Sequence, residues 1–236
     1  MTSILAIETS TTACSVALQV ANRTFARCSD KPRSHSKLLM SMVREVLVEA
    51  DLQPNQLDAI GITVGPGSFT GLRIGFATVQ GLAYANDIPV VPLSTLKVMV
   101  ATYLRRYCSD ADLTAGSEII ALLDARMSEY CMGHYAIGES GELVVVEDDQ
   151  LLSTEGALSR LSSINPTAII GEANDLVEAN PELANSYRSL HPMAEDILPL
   201  AQAEFDSGKA LAVTEVDLVY LRGAEAWQKR KRLREV

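Results

Sequence analysis

Two carboxylates and one glycine-rich loop are the residues of this sequence whose types and spacing could do chemistry. Glu8 ends an apolar run and is followed by Thr9 and Ser10, and Asp124 ends a second apolar run. The loop GPGSFTGLRIG occupies residues 65–75. Two carboxylates across a cleft can hold magnesium, and free N–H groups at a helix start attract phosphate. The same carboxylates can equally end paired strands, where nearby N–H groups satisfy them.

The glycine loop follows an apolar stretch and precedes a helical pattern, so it predicts a strand, a turn and a helix start. Gly65 and Gly67 permit a tight turn or a close approach of another backbone, and Pro66 stiffens the turn. Ser68 or Thr70 can cap the helix. The loop has neither the lysine of a Walker A motif nor the spacing of a dinucleotide fingerprint. A structural turn and a phosphate site both stay open.

The composition indicates a globular protein. Of 236 residues, 47% are hydrophobic and 21% are charged. No apolar run reaches the roughly 20 residues of a membrane span, and we identify no secretion signal at the N-terminus. The cysteines form no CxxC pair, and we expect them to be buried thiols in a reducing cytoplasm. They are Cys14, Cys28, Cys108 and Cys131.

The net charge of −10 argues against independent binding of nucleic acid, because contacts to phosphate dominate such affinity. Residues 229–236 reverse the sign, with five basic residues against one acidic residue. A solvated terminus accounts for such a run. A contact with RNA or with a partner protein is the alternative.

The order of the predicted elements is three strands, then helix, strand, helix, strand and helix, which is typical of an α/β fold. A polar, hinge-like stretch at 109–116 comes next, and the pattern then restarts. Residues 118–124 parallel residues 3–8, because each apolar strand ends in a carboxylate and precedes a strand with a cysteine. We expect two lobes, 1–108 and a smaller 109–192. Residues 193–236 would add a closing helix, a strand and the basic tail, returning toward the first lobe.

Two helices have unusual faces. The apolar arc of residues 35–50 is broader than one core contact needs. In residues 71–84, Gly71, Gly75 and Gly81 each cost a helix about 1 kcal/mol relative to alanine, which makes sense if another backbone packs closely. Burial within one monomer and contact with a partner both explain these faces.

Three motifs carry a specific family resemblance. ILAIETS at 4–10, the glycine loop at 65–75 and DARM at 124–127 closely resemble the TsaB (YeaZ) family, in order and over nearly the whole chain. The resemblance implies the actin/Hsp70/sugar-kinase superfamily, with two actin-like (RNase H-like) lobes facing each other across a cleft. The second lobe is expected to be reduced.

The resemblance also implies a function. TsaB proteins help bacteria make N6-threonylcarbamoyladenosine at position 37 of tRNAs that read ANN codons. The paralogue TsaD performs the transfer, TsaB pairs with TsaD as a non-catalytic scaffold, and the ATPase TsaE joins them. Contact with tRNA would come through the complex.

The same resemblance puts the TsaD interface on the helices at 35–50 and 71–84. Without TsaD we expect a homodimer, because a broad exposed apolar patch rarely stays solvated. The candidate interface residues are Leu38, Met42, Glu45, Arg73, Phe76, Gln80 and Tyr84.

A metal site is not expected. TsaD-like enzymes hold their metal with two histidines on a helix where this chain has Thr95 and Met99, neither a good ligand for a hard or borderline metal. His35, His134 and His191 are too far apart for a local metal motif. We expect His35, at a helix start, to be a capping or surface residue.

Nucleotide binding by the isolated chain is expected to be weak or absent. The superfamily has a double-glycine turn on its adenosine side, and this chain has only Gly171 there. ATP and magnesium are therefore expected only in the complex. The rival interpretation is a small ATP-dependent kinase or ATPase of the sugar-kinase superfamily; no nucleophile–base pair supports a protease. The residues of the possible vestigial nucleotide cleft are Glu8, Thr9, Ser10, Gly65, Gly67, Ser68 and Asp124.

Overall fold

The computed structural model describes residues 2–107 and 113–222. The first half of the chain alternates strands and helices as the sequence predicts. Its elements are β1 (Ser3–Glu8), β2 (Cys14–Val20), β3 (Arg23–Ser29), α1 (His35–Glu49), β4 (Ala59–Gly65), α2 (Phe69–Asn86), β5 (Val90–Ser94) and α3 (Thr95–Tyr107).

The second half repeats that order of elements, which confirms the restart seen in the sequence. Its elements are β6 (Glu118–Arg126), β7 (Glu129–Ile137), β8 (Leu143–Ser153), α4 (Thr154–Ile164), β9 (Ala168–Glu172), α5 (Asn174–Ala179), β10 (Tyr187–Ser189) and α6 (Ala194–Asp206). The short strand β10 was not predicted.

The two five-stranded sheets share one topology. Their strand orders are β3-β2-β1-β4-β5 and β8-β7-β6-β9-β10. In each sheet the first three strands form an antiparallel meander, and the last two run parallel to the first. This is the actin-like lobe, and the predicted fold class is confirmed. The second lobe is reduced in its helices: α4 and α5 have 11 and 6 residues, against 15 and 18 in α1 and α2.

The last helix of each half packs against the sheet of the other half. From α3, Leu96, Met99 and Tyr103 join the core around β6. From α6, Ile197 and Ala201 join the core around β1 and β5. Each half therefore completes the hydrophobic core of the other, which joins the two sheets firmly.

Three expectations need correction. Residues 216–221 form no strand; the backbone is extended at Val216, and Val219 donates one hydrogen bond to the carbonyl of Val64 at 2.8 Å. His35 is buried, with its Nε2 3.1 Å from the carbonyl oxygen of Ala13, so it is neither a cap nor a surface residue. Cys28 is exposed, whereas Cys14 and Cys131 are buried. Cys108, the first half of the predicted hinge (109–112) and the basic tail lie outside the described residues.

Candidate functional site

Glu8 lies at the carboxyl end of β1 and is fully buried. Its Oε1 accepts hydrogen bonds from the amide and the hydroxyl of Ser10, both at 2.5 Å. Its Oε2 and the nearby Thr63 Oγ1 have no hydrogen-bond partner among the described residues. Burial raises the pKa of Glu8 to about 7, and the bonds from Ser10 oppose that rise. A carboxyl group held this way is partly protonated at neutral pH.

The glycine loop packs directly on the loop that follows Glu8. The Ser68 amide donates to the Ser10 carbonyl at 2.6 Å, and Ser68 Oγ caps α2 by accepting from Gly71 at 3.2 Å. A Cβ at Gly67 would lie 2.5 Å from the Ser10 carbonyl oxygen, and one at Gly71 would lie 2.1 Å from that of Thr9. The glycines are thus required by the close approach of the chain's own backbone, and the structural interpretation of this turn accounts for them.

Residues 216–222 cover the other side of the glycine loop. Gly65 has a φ of +129°, and a Cβ there would lie 2.3 Å from the carbonyl oxygen of Val219. The Tyr220 ring lies 5.5 Å from that of Phe69, and its hydroxyl accepts from Arg73 Nε at 3.1 Å. Sequence reasoning missed this contact, because no local spacing relates residues 147 positions apart.

Asp124 is engaged by its own hairpin. Its Oδ1 accepts from the Arg126 amide at 2.7 Å, and its Oδ2 pairs with the Arg126 guanidinium at 3.0 Å. Arg222 extends the group by donating to the Arg126 carbonyl and to the Glu129 carboxylate. The amide two residues after each carboxylate donates to it, Arg126 to Asp124 and Ser10 to Glu8. Both carboxylates therefore close equivalent turns.

The charged group that acts on Glu8 from the second half of the chain is His191, rather than Asp124. His191 Nδ1 lies 2.8 Å from Glu172 Oε1, and Glu172 raises the pKa of His191. No motif in the sequence singled out this pair. His191 is thus the group of the second half that influences the pKa of Glu8, and the placement of Glu8 and Asp124 across one cleft stays a prediction.

On the predicted adenosine side, Gly171 lies close to its neighbouring strand and to α3. Gly171 has a φ of +117°, and a Cβ there would lie 2.1 Å from the Leu122 carbonyl oxygen and 2.7 Å from the Met99 sulfur. Thr95 and Met99, at the positions of the metal-binding histidines, are fully buried. Within residues 2–107 and 113–222, no three His, Cys, Asp or Glu side chains cluster as a metal site would need. We derive no catalytic step from these residues.

The predicted interface residues on α1 differ in exposure. Leu38 is half-buried against the core of the first lobe. Met42 is only 7% exposed and belongs to that core, which corrects its selection as a contact residue. Glu45 is exposed and pairs with Arg27 of β3 at 2.9 Å. The large exposed apolar side chains of α1 are Met40 and Val48, and sequence reasoning selected neither as a contact residue.

Of the predicted interface residues on α2, Arg73, Gln80 and Tyr84 are exposed and Phe76 is half-buried. Arg73 already stacks on a ring of its own chain, because its guanidinium carbon lies 3.7 Å from the centre of the Phe69 ring. Tyr84 is 76% exposed. Helices α1 and α2 contact each other on one side of the first sheet, so their outer faces form a continuous surface.

Comparison with known proteins decides the family. The tRNA threonylcarbamoyladenosine biosynthesis protein TsaB of Escherichia coli (strain K12) is 33% identical over 240 residues, which cover 96% of this chain and 97% of that protein. The chain belongs to the TsaB family. TsaB of Haemophilus influenzae is 32% identical over 96% of each chain. The family model described as TsaD, tRNA N6-adenosine threonylcarbamoyltransferase, matches residues 29–164.

Solved structures agree with the TsaB assignment. YeaZ from Pseudomonas aeruginosa superposes with a TM-score of 0.81 at 32% identity, covering 94% of this chain and all of that one. A second crystal structure, described as an uncharacterized protein with similarity to peptidase YEAZ from the same organism, gives 0.83 at 33% identity. No described helix of this TsaB family member is long and apolar enough to cross a membrane.

Proposed function

We propose that this TsaB family member serves tRNA threonylcarbamoyladenosine biosynthesis as a non-catalytic subunit that dimerises with the TsaD paralogue. The observation that supports the proposal is the close packing of the chain's own backbone on the glycine loop. The glycine loop is closed by Thr9 and Ser10 on one side and by Val219 on the other. A catalytic member of the superfamily would need that space for phosphate groups. The chain would therefore contribute a binding surface to the complex.

The surface we propose for TsaD is the outer face of α1 and α2. Met40 and Tyr84 leave 52% and 76% of their side chains in solvent. Gly81 of α2 has no atom within 4 Å of where its Cβ would lie, so a partner helix can approach closely there. Apolar groups gathered on two adjacent helices favour a protein–protein contact. In the absence of TsaD, the same face would form a homodimer.

Cofactors and tRNA enter this proposal through the complex. The isolated chain binds neither ATP nor magnesium, and both are used only when TsaD and the ATPase TsaE are present. The net charge of −10 disfavours tRNA binding by the chain alone. We therefore assign tRNA contact to the assembled complex, in the cytoplasm.

The test is co-purification with TsaD encoded by the same genome, followed by mass measurement in solution. Tyr84→Glu places a charge on the proposed surface. Met127→Glu is the matched control, because Met127 is 79% exposed on the hairpin of the second lobe. We expect wild type and Met127→Glu to form a heterodimer, and Tyr84→Glu to stay folded without binding. Equal binding by all three would exclude this surface, and failure of wild type to bind would overturn the proposal.

A further inference from the structure

Aromatic and arginine side chains form an exposed group beside the glycine loop. Phe69, at the start of α2, is 48% exposed, and Tyr220 is 42% exposed. The centres of these two rings are 5.5 Å apart. The guanidinium carbon of Arg73 lies 3.7 Å from the centre of the Phe69 ring and 5.9 Å from that of Tyr220. Two aromatic rings and a guanidinium plane are therefore held together at the surface by their own contacts.

The turn between β6 and β7 continues this exposed group. Arg222 donates to the carbonyl of Arg126 at 3.0 Å and to the sulfur of Met127 at 3.3 Å. Both of these residues reach into solvent, since the side chain of Arg126 is 85% exposed and Met127 is the more exposed of the two apolar types here. Because Tyr220 and Arg222 are two residues apart, the ring pair of the first half and the turn of the second half form one surface.

The arginines of this surface outnumber the carboxylates that contact them. Arg126 is paired with Asp124. Arg222 is paired with Glu129. Arg73 pairs with no carboxylate in the part of the chain that the structure describes. The contact group is thus positive in a chain whose net charge is −10. A ligand that matches it is negatively charged and has flat rings that can stack.

We propose that this aromatic-arginine surface binds an unpaired segment of RNA. The proposal rests on the proposed function, because the RNA is the tRNA that the complex with TsaD would bind. Unpaired bases stack on aromatic rings and on arginine planes, and arginines bind phosphate oxygens through charge-assisted hydrogen bonds. The two rings would take a base, and the exposed guanidinium of Arg126 would take a phosphate. The surface consists of Phe69, Arg73, Arg126, Met127, Tyr220 and Arg222.

The aromatic-arginine surface lies apart from the contact proposed for TsaD. Phe69 and Tyr84 are 15 residues apart in α2, which is about 22 Å along a helix. Arg73, which the resemblance placed in the TsaD interface, is held at the Phe69 end of α2 by its stacking. TsaD and RNA can therefore occupy the two surfaces at the same time.

Other occupants match this surface less well. A second copy of the chain would bring the arginines of two chains together, and like charges repel. An acidic protein segment would satisfy the arginines and leave the faces of Phe69 and Tyr220 in solvent. A nucleotide provides both a phosphate and a flat base, which is the combination that grooves for single-stranded nucleic acid use.

Binding of unmodified tRNA to the complex with TsaD, measured by fluorescence anisotropy over a range of salt concentrations, tests this surface. Tyr220→Ala removes one ring and should weaken the affinity about tenfold at every salt concentration. Tyr220→Phe keeps the ring and should bind as wild type does. Arg126→Gln removes one charge and should reduce the slope of log affinity against log salt by about 1. Arg106→Gln is the matched control, because Arg106 is exposed near the end of α3 and is not part of this surface.

Ultraviolet crosslinking of the same complex locates the contact directly, and it does not depend on the folding of any variant. We expect tRNA to crosslink to peptides that contain Phe69 or Tyr220. Crosslinks confined to TsaD, or to other peptides of this chain, would overturn the proposal.

Mass measurement of each variant with TsaD separates this proposal from the proposed function. If wild type does not bind TsaD, both fail. If the heterodimer forms but Tyr220→Ala or Arg126→Gln binds tRNA exactly as Arg106→Gln does, the RNA surface alone is refuted. If Tyr220→Ala stays folded and loses TsaD, the surface is a protein contact and the RNA proposal fails.

Discussion

The backbone amide of Ser68 donates a 2.6 Å hydrogen bond to the carbonyl oxygen of Ser10. This bond joins the glycine loop to the loop that follows Glu8, the two segments that would together surround a phosphate. The glycines of α2 complete the contact, since Gly75 lies against the Thr9 hydroxyl as Gly71 lies against the Thr9 carbonyl. A sequence pattern typical of a phosphate site is used here to pack one loop on another.

Two glycines of α2 should respond oppositely to alanine. At Gly71 the new methyl group would lie 2.1 Å from a backbone oxygen, so Gly71→Ala should lower the free energy of unfolding by about 2 kcal/mol or more. At Gly81 there is open space, and Gly81→Ala should raise it by up to about 1 kcal/mol through helix propensity. Urea denaturation of both variants measures the difference. Equal effects of the two changes would mean that the loops are not in close contact.

Stability should fall as pH rises because of Glu8. Its pKa is raised to about 7 by burial, above its value in the unfolded chain. The folded state therefore holds the proton more tightly, and the stabilisation is complete below the unfolded pKa near 4.5 and lost as pH rises through 7. The loss amounts to roughly 3 kcal/mol, at about 1.4 kcal/mol per pH unit.

The matched variant is Glu8→Gln, which keeps an oxygen for Ser10 and does not titrate. His191 also has a raised pKa, so its stabilisation falls with pH in the same direction. The contribution of Glu8 is therefore the difference between wild type and Glu8→Gln in unfolding free energy at pH 5 and pH 8. Parallel pH profiles for the two proteins would show that Glu8 does not titrate in this range.

The ion pair between α3 and α6, the helices by which each half packs on the sheet of the other, should contribute more to the free energy of unfolding than a surface pair. Arg105 of α3 binds Asp196 of α6 through two bonds of 2.5 and 2.9 Å, and the Asp196 side chain is only 4% exposed. Arg105→Ala would leave that carboxylate buried without its partner, at a cost of about 2 kcal/mol. Arg27→Ala removes an exposed pair with Glu45 and should cost less than about 1 kcal/mol. Thermal or urea unfolding of the two variants compares their losses of stability. A larger loss in Arg27→Ala than in Arg105→Ala would mean that the contact between α3 and α6 adds little stability.

The sequence predicts the central strands because their environment is uniform. All residues of β1 and β4 are buried, and most of the residues in each are apolar. The cap at Ser68 was predictable for a similar reason, because a cap is a local interaction. The α/β class and the two lobes follow from the repeated order of such elements.

Long-range relationships could not be predicted in the same way. Residues 216–221 are mostly apolar, as the residues of a buried strand are, yet Val216 is buried in the first core and no described strand pairs with them. Helical periodicity identified the buried side of α1 but not which residues at its border are exposed. Met42 is buried in the core, whereas Met40 is exposed to solvent. The influence of His191 on the pKa of Glu8 relates residues far apart in the sequence, which no spacing rule detects.

The most direct test of the central claim is a tRNA threonylcarbamoylation assay reconstituted with TsaD and TsaE. It compares wild type, the double variant Glu8→Gln with Asp124→Asn, and Tyr84→Glu. We predict that the double variant modifies tRNA at the wild-type rate, since its cleft does no chemistry, and that Tyr84→Glu loses activity with TsaD binding. Loss of activity in a folded, TsaD-binding double variant, with full activity in Tyr84→Glu, would contradict a non-catalytic subunit that acts through its helix surface.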